Sequence, residues 1–138
     1  MPKGTASQEA KTFDLVVPVA QTPGTVTGTG IDCRGYEEAL INLHAGIVPS
    51  NGTLDVHLEE SSLLGSGYTD ITEAVFDQVT ASTDVLPYVG RLNLKGRKRY
   101  IRAIAVVANQ TIPFAVSAVL SAARELPVSQ INDVAFSV

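Results

Sequence analysis

The chain has 138 residues, 45% of them hydrophobic and 17% charged, with a formal net charge of −4. That length suits one domain with one core, and the balance is globular rather than disordered; the acidity argues against a general affinity for nucleic acid. A single cysteine, Cys33, excludes an internal disulfide framework and a multi-cysteine zinc site, and the absence of Trp weakens any reading that needs flat platforms for sugars.

No apolar run approaches the roughly 20 residues needed to cross a bilayer, so no membrane partner is expected. The opening Met1-Pro2-Lys3-Gly4-Thr5-Ala6-Ser7 has no apolar h-region. Synthesis and residence in the cytoplasm, or in an assembly that forms there, are the expectation.

Residues 1–11 are polar and small and read as a flexible N-terminal arm. The domain is expected over residues 12–127. Phe13 to Ala20 is an apolar run in which Pro18 removes a ladder donor, which points to an edge strand. Gln21 to Gly30 is Gly/Thr-rich loop with one weak strand around Val26. Its glycines lack the Gly-Lys-Ser/Thr ending of a phosphate loop.

Tyr36 to Ala45 and Thr53 to Glu60 are strand candidates. In the second, Leu54, Val56 and Leu58 alternate with polar residues, so one face is buried and one is wet. Asn51-Gly52 lies between them and favours a tight turn, which predicts a β-hairpin. Ser61 to Gly67 is loop, Tyr68 to Ile71 a short strand, and Thr72 to Val79 irregular or a brief helical turn.

Tyr88 to Leu94, Arg99 to Ala108 and Pro113 to Ala122 follow as three strands of an expected antiparallel meander. Ile101 to Val107 is almost wholly apolar, as in a central strand covered on both faces. Phe114 to Arg124 is Ala-rich and admits a helix with Pro113 at its first position. The alternation of Phe114, Val116, Ala118 and Leu120 favours the strand. Val128 to Val138 is a C-terminal arm or a last strand. The sum is an all-β antiparallel sandwich of about seven strands, jelly-roll or immunoglobulin-like, with flexible terminal arms.

Candidate chemistry is sparse. In the predicted hairpin, His44 and His57 face each other if the turn centres on Ser50-Asn51, and could share a metal ion with Asp55 and Glu59. Centring it on Asn51-Gly52 dissolves that pair, and ordinary surface side chains are the preferred reading. Glu37-Glu38 and Glu59-Glu60 are adjacent in strands and point to opposite faces, so neither pair forms an acid–base site. Cys33 has no histidine nearby in sequence and reads as a small buried hydrophobe. No catalytic residue, cofactor or metal is expected, and the protein is not read as an enzyme.

The strongest feature is charge segregation. The segment Gly90-Arg91-Leu92-Asn93-Leu94-Lys95-Gly96-Arg97-Lys98-Arg99-Tyr100-Ile101-Arg102 holds six of the ten Lys and Arg residues. The block from Asp32 to Asp84 holds ten carboxylates and one cation, Arg34. Such cations could grip phosphates with Tyr100 stacking on a base, or hold small anions. The acidic block makes a contact between subunits the preferred reading, with Arg91, Lys95, Arg97, Lys98, Arg99 and Arg102 as interface residues.

The order of Gly35-Tyr36-Glu37-Glu38-Ala39-Leu40-Ile41-Asn42-Leu43-His44-Ala45-Gly46, Asn51 to Ser61, Tyr68-Thr69-Asp70-Ile71 and the basic segment resembles small β-rich virion proteins of tailed bacteriophages, of the capsid decoration or cement type. The resemblance covers roughly residues 35–127 and rests on strands and turns, so it carries over no catalytic residue. It implies a structural protein on the outside of the capsid, made in the host cytoplasm, that binds the major capsid protein or other virion proteins. It also implies a homo-oligomer, dimer or trimer, whose arms (Pro2 to Lys11 and Val128 to Val138) order on neighbours. A head–tail connector or tail component is the alternative, and a carbohydrate-binding module using Tyr68 or Tyr88 is the alternative of another class.

Overall fold

The computed structural model describes residues 9–122. Among them are ten strands: β1 (Lys11–Gln21), β2 (Gly24–Thr27), β3 (Ile31–Asp32), β4 (Glu38–Ala45), β5 (Thr53–Ser61), β6 (Thr69–Val75), β7 (Val79–Thr80), β8 (Pro87–Asn93), β9 (Tyr100–Ala108) and β10 (Ile112–Ser121). The count exceeds the expected seven because the weak segment at Val26 is the strand β2 and because β3 and β7 are two-residue pairings. Most of the expected N-terminal arm and all of the C-terminal one lie outside the described residues. Lys11 belongs to β1, opposite Leu120. No helix among the described residues is long and apolar enough to cross a membrane.

All pairings are antiparallel. One sheet runs β1-β10-β4-β8; the other runs β2-β9-β5-β6, with β3 also on β9 and β7 also on β5. With β3 taken as a continuation of β2, and β7 of β6, the chain changes sheet at every connection except β5 to β6. That is the strand order of a jelly roll, and it decides between the two sandwich types.

Two expectations fail for the same reason. β4 and β5 do not form a hairpin, since they lie in different sheets. β8, β9 and β10 do not form a meander, since β9 lies in the sheet opposite the other two. The turn at Asn51-Gly52 does exist: Gly52 N–H donates to Pro49 O at 2.9 Å, with Asn51 at φ 70°. It closes an arch between sheets. Val48 is buried at the end of the core, its N–H donates to Asp84 Oδ2 at 2.6 Å, and Gly46 N–H donates to Pro113 O at 2.8 Å. Strands with one apolar face each can bury those faces against one another only by facing across the core.

The layers are complementary. Phe114, Val116, Ala118 and Leu120 of β10 lie opposite Ala45, Leu43, Ile41 and Ala39 of β4, and all eight are buried. Leu54, Val56 and Leu58 of β5 lie opposite Val107, Ala105 and Ala103 of β9, again all buried. Alanines recur opposite larger side chains, which lets the sheets interdigitate at interior density. This use of alanine in a strand is what admitted a helix over Phe114 to Arg124. β9 is central as expected, but it is not covered on both faces: Val106 on its outer side is 38% exposed.

β1 is an edge strand, with two register shifts and Pro18 near the second. The β1 flank is closed by backbone. Gly28 N–H donates to Ala103 O of one sheet at 2.8 Å, and Thr29 N–H donates to Leu15 O of the other at 3.0 Å. A Cβ at Gly28 would lie 2.5 Å from Leu15 O and 2.8 Å from Ala103 O, so only glycine fits there. Gly28→Ala is expected to cost about 2 kcal/mol by forcing these backbones apart. Gly65→Ala, where a Cβ meets nothing within 4 Å, serves as the neutral control, and urea denaturation midpoints compare the two.

Candidate functional site

The basic segment spans the gap between sheets. β8 ends at Asn93 in one sheet and β9 begins at Tyr100 in the other. Asn93 Oδ1 accepts the N–H of Lys95 at 3.0 Å, and Leu94 O accepts the N–H of Arg97 at 3.1 Å with Gly96 at φ 77°. Leu94 is buried and its N–H donates to Glu37 O at 2.9 Å. A short side-chain acceptor, a left-handed glycine and a leucine anchor thus make a fixed turn. Arg97 to Arg99 lie in this turn and outside β9, so strand alternation does not set their faces.

The fold divides the six expected interface cations into three groups. Arg91 and Lys95 line a concavity of about 580 Å³ with Glu37, Glu38, Leu40 and Ser121. Arg97, Lys98 and Arg99 line a second cleft of about 330 Å³, together with Arg34, Cys33, Tyr36 and Leu94. Arg102 stands apart on the outer side of β9, directly across from Glu59 of β5.

Three of these cations are paired within the chain. Arg99 grips Asp32 with both forks, Nε to Oδ1 at 3.0 Å and Nη2 to Oδ2 at 2.8 Å. Arg102 donates to Glu59 Oε1 from Nε at 3.1 Å and from Nη2 at 3.0 Å, and its guanidinium lies 3.9 Å from the centre of the Tyr68 ring. Arg97 Nη1 is 3.7 Å from Glu60 Oε1, while Glu60 Oε2 accepts the N–H of Lys98 at 3.1 Å. Asp32, Glu59 and Glu60 all come from the acidic block. Charges far apart along the chain therefore meet inside one domain, because β9 is flanked by β3 and β5.

The neighbours tune the acids. The Arg99 guanidinium holds the Asp32 carboxyl below the usual carboxylate range, against an opposing effect of burial. Burial, reinforced by Asp32, pushes the Cys33 thiol up to about 12. Cys33 is 5% exposed and stays protonated at neutral pH, a small apolar side chain and not a nucleophile.

Other candidates are dispersed. His44 is exposed on β4 and His57 sits on β5 in the opposite sheet, so the arch removes the shared imidazole site. His57 Nε2 lies 3.3 Å from Asp70 Oδ1. Among the described residues, no three His, Cys, Asp or Glu side chains group as a metal site. The two tyrosines considered for sugar stacking are half-buried and engaged: Tyr68 donates to Leu64 O at 2.7 Å beneath Arg102, and Tyr88 donates to Thr83 O at 2.7 Å.

Arg34 is the residue that sequence reasoning misplaced. It counted as the lone cation of the acidic block, yet the fold adds it to the basic cleft. Its N–H donates to Asp32 Oδ1 at 3.0 Å, and Gly35 follows at φ 92°. An Asp three residues before a left-handed glycine marks a turn. Only the β3–β9 pairing brings that turn beside Arg97 and Arg99.

No family model matches the chain, and no curated protein matches it. Among solved structures it is similar to the PBSX exported protein XepA, with a TM-score of 0.61 and 17% identity over 99% of this chain and 46% of that one. The chain thus spans about half the length of XepA. It is also similar to the SPBc2 prophage-derived protein YomS, with a TM-score of 0.53 and 9% identity over 81% of this chain and 92% of that one. At these identities the likeness is one of fold.

Two outcomes are expected from the ion pairs. Arg102→Ala strands the nearly buried Glu59 carboxylate and should cost about 2 kcal/mol, whereas Arg102→Met combined with Glu59→Leu should recover most of that loss. Urea denaturation of the single and double variants measures both. The depressed carboxyl of Asp32 contributes stability that is complete above its unfolded pKa of about 3.9 and is lost as pH falls through its lower folded value. The melting-temperature gap between the native chain and Asp32→Asn should therefore be full at neutral pH and close on acidification.

Proposed function

We propose that this protein is a non-enzymatic structural component of a phage particle, one that binds the outside of the capsid and stabilises the shell. The observation that carries the phage assignment is the common jelly-roll fold with two prophage-encoded proteins, one of them aligned over 99% of this chain. The shell-binding role draws on the resemblance to decoration proteins and on the rigid cationic turn between the two sheets. A turn fixed by Leu94, Asn93 and Gly96 presents charge to a partner with little ordering cost. Major capsid protein is the proposed partner, with the chain acting as a homo-oligomer, so that weak single contacts become avid on a repetitive shell. A connector or tail component would use the same scaffold. The carbohydrate alternative loses ground because Tyr68 and Tyr88 are both held within the chain.

Purified protein should bind expanded, genome-free capsids and raise their melting temperature. Co-sedimentation with calorimetry reads both, and capsids that neither retain the protein nor melt higher would refute the shell-binding role.

A further inference from the structure

We infer that the cleft between the Cys33–Tyr36 turn and the Leu94–Arg99 turn is a docking site for carboxylates of an acidic segment on a partner protein, seated between Arg34 and Lys98. Four cations line it, Arg34, Arg97, Lys98 and Arg99, and no carboxylate does. Arg99 is neutralised by Asp32 and Arg97 is drawn to Glu60, neither of which lines the cleft. The side chains of Arg34 and Lys98 make no hydrogen bond or ion pair among the described residues, although the charge of Arg34 helps to hold the nearby Asp32 carboxyl down. Two cations without a direct ion pair thus line one concavity of about 330 Å³, beside two that are held in place.

The walls are set by backbone. Cys33 N–H donates to Arg99 O at 2.9 Å and Tyr36 N–H donates to Cys33 O at 3.3 Å, which ties the first turn to the start of β9. Gly35 and Gly96, both at positive φ, stand at the tips of the two turns with open space around them. Backbone hydrogen bonds thus hold the two turns that carry the cations. Glu60 and Asp32 fix Arg97 and Arg99 in the manner of supports, so most of their charge is spent, while Arg34 and Lys98 are tied by no such direct contact and can turn to a ligand.

An acidic peptide fits this site better than a nucleic acid. Only two cations of the cleft lack a direct ion pair, too few for a polyanion backbone that must also approach a chain of net charge −4. The Tyr100 ring that could stack on a base lies 5.1 Å beneath the Arg99 guanidinium. The chemistry of the cleft is independent of the virion reading; only the identity of the protein that supplies the carboxylates rests on it.

The test titrates the full chain with a short oligoglutamate peptide, an oligoglutamine control and a short oligothymidine, followed by NMR and calorimetry. Oligoglutamate should bind saturably, shift the resonances of Arg34 and Lys98, and weaken as salt rises to about 0.3 M. Arg34→Gln with Lys98→Gln should lower its affinity about tenfold, as two exposed charge pairs allow. Arg91→Gln with Lys95→Gln, in the separate concavity, should leave it unchanged. Absence of saturable binding, equal loss in both double variants, or tighter binding of oligothymidine than of oligoglutamate would overturn the assignment. Peptide binding by a protein that ignores capsids sinks the shell role and leaves the cleft standing. Capsid binding that is untouched in a double variant unable to hold the peptide separates the two in the other direction.

Discussion

Four strands, two from each sheet, hold the rest of the molecule in place. β4 and β10 turn Ile41, Leu43, Val116 and Leu120 inward, and β5 and β9 turn in Leu54, Val56, Ala105 and Val107, all in one continuous core. Each partner strand is distant in sequence, so no local segment can bury its own apolar face. The hydrophobic term is proportional to area removed from water and is obtained only when both sheets assemble. The arches at Gly46–Gly52 and Leu94–Arg99, the Gly28 bridge and the edge strands are consequences of that layer.

Electrostatics follow the same geometry. β9 runs beside β5 for its whole length and beside β3 at its start. Its Arg102 therefore meets Glu59 across the ladder, and the turn that precedes it meets Asp32 through Arg99 and Glu60 through Arg97. Cross-strand pairs of opposite charge stabilise a sheet modestly, and a bidentate guanidinium adds fixed orientation. The acidic block is thereby partly consumed within the domain. What remains for a partner is a smaller and sharper feature than the raw charge pattern: Arg34 and Lys98 on one rim, and Arg91 and Lys95 beside Glu37 and Glu38 on another.

The proposed structural role would use these properties. The jelly roll offers a stiff body, and its loops at the ends of the strands are held by backbone hydrogen bonds and small buried anchors such as Val48 and Leu94. Cys33, the histidines and the tyrosines all find structural uses or stand alone. Rigid presentation of a few charges is the property that the proposed shell contact, weak singly and repeated, would need.

Sequence alone determined which residues face the core and where the chain turns. The period-two pattern of β5, the turn at Asn51-Gly52, the proline of an edge strand and the choice of strand over helix at Phe114 to Leu120 are local properties, since side-chain alternation and φ preference act over a few residues. It also located the basic turn. Only the tertiary structure decided which strands pair and hence which charges meet. Alternation says that Leu43 and Leu54 are buried, but it is silent on whether their strands lie edge to edge or face to face. The arch between β4 and β5 separates His44 from His57, and the β3–β9 pairing carries Arg34 into the basic cleft. Those outcomes depend on burying two apolar faces against each other across the core, a non-local free energy that no window of sequence contains.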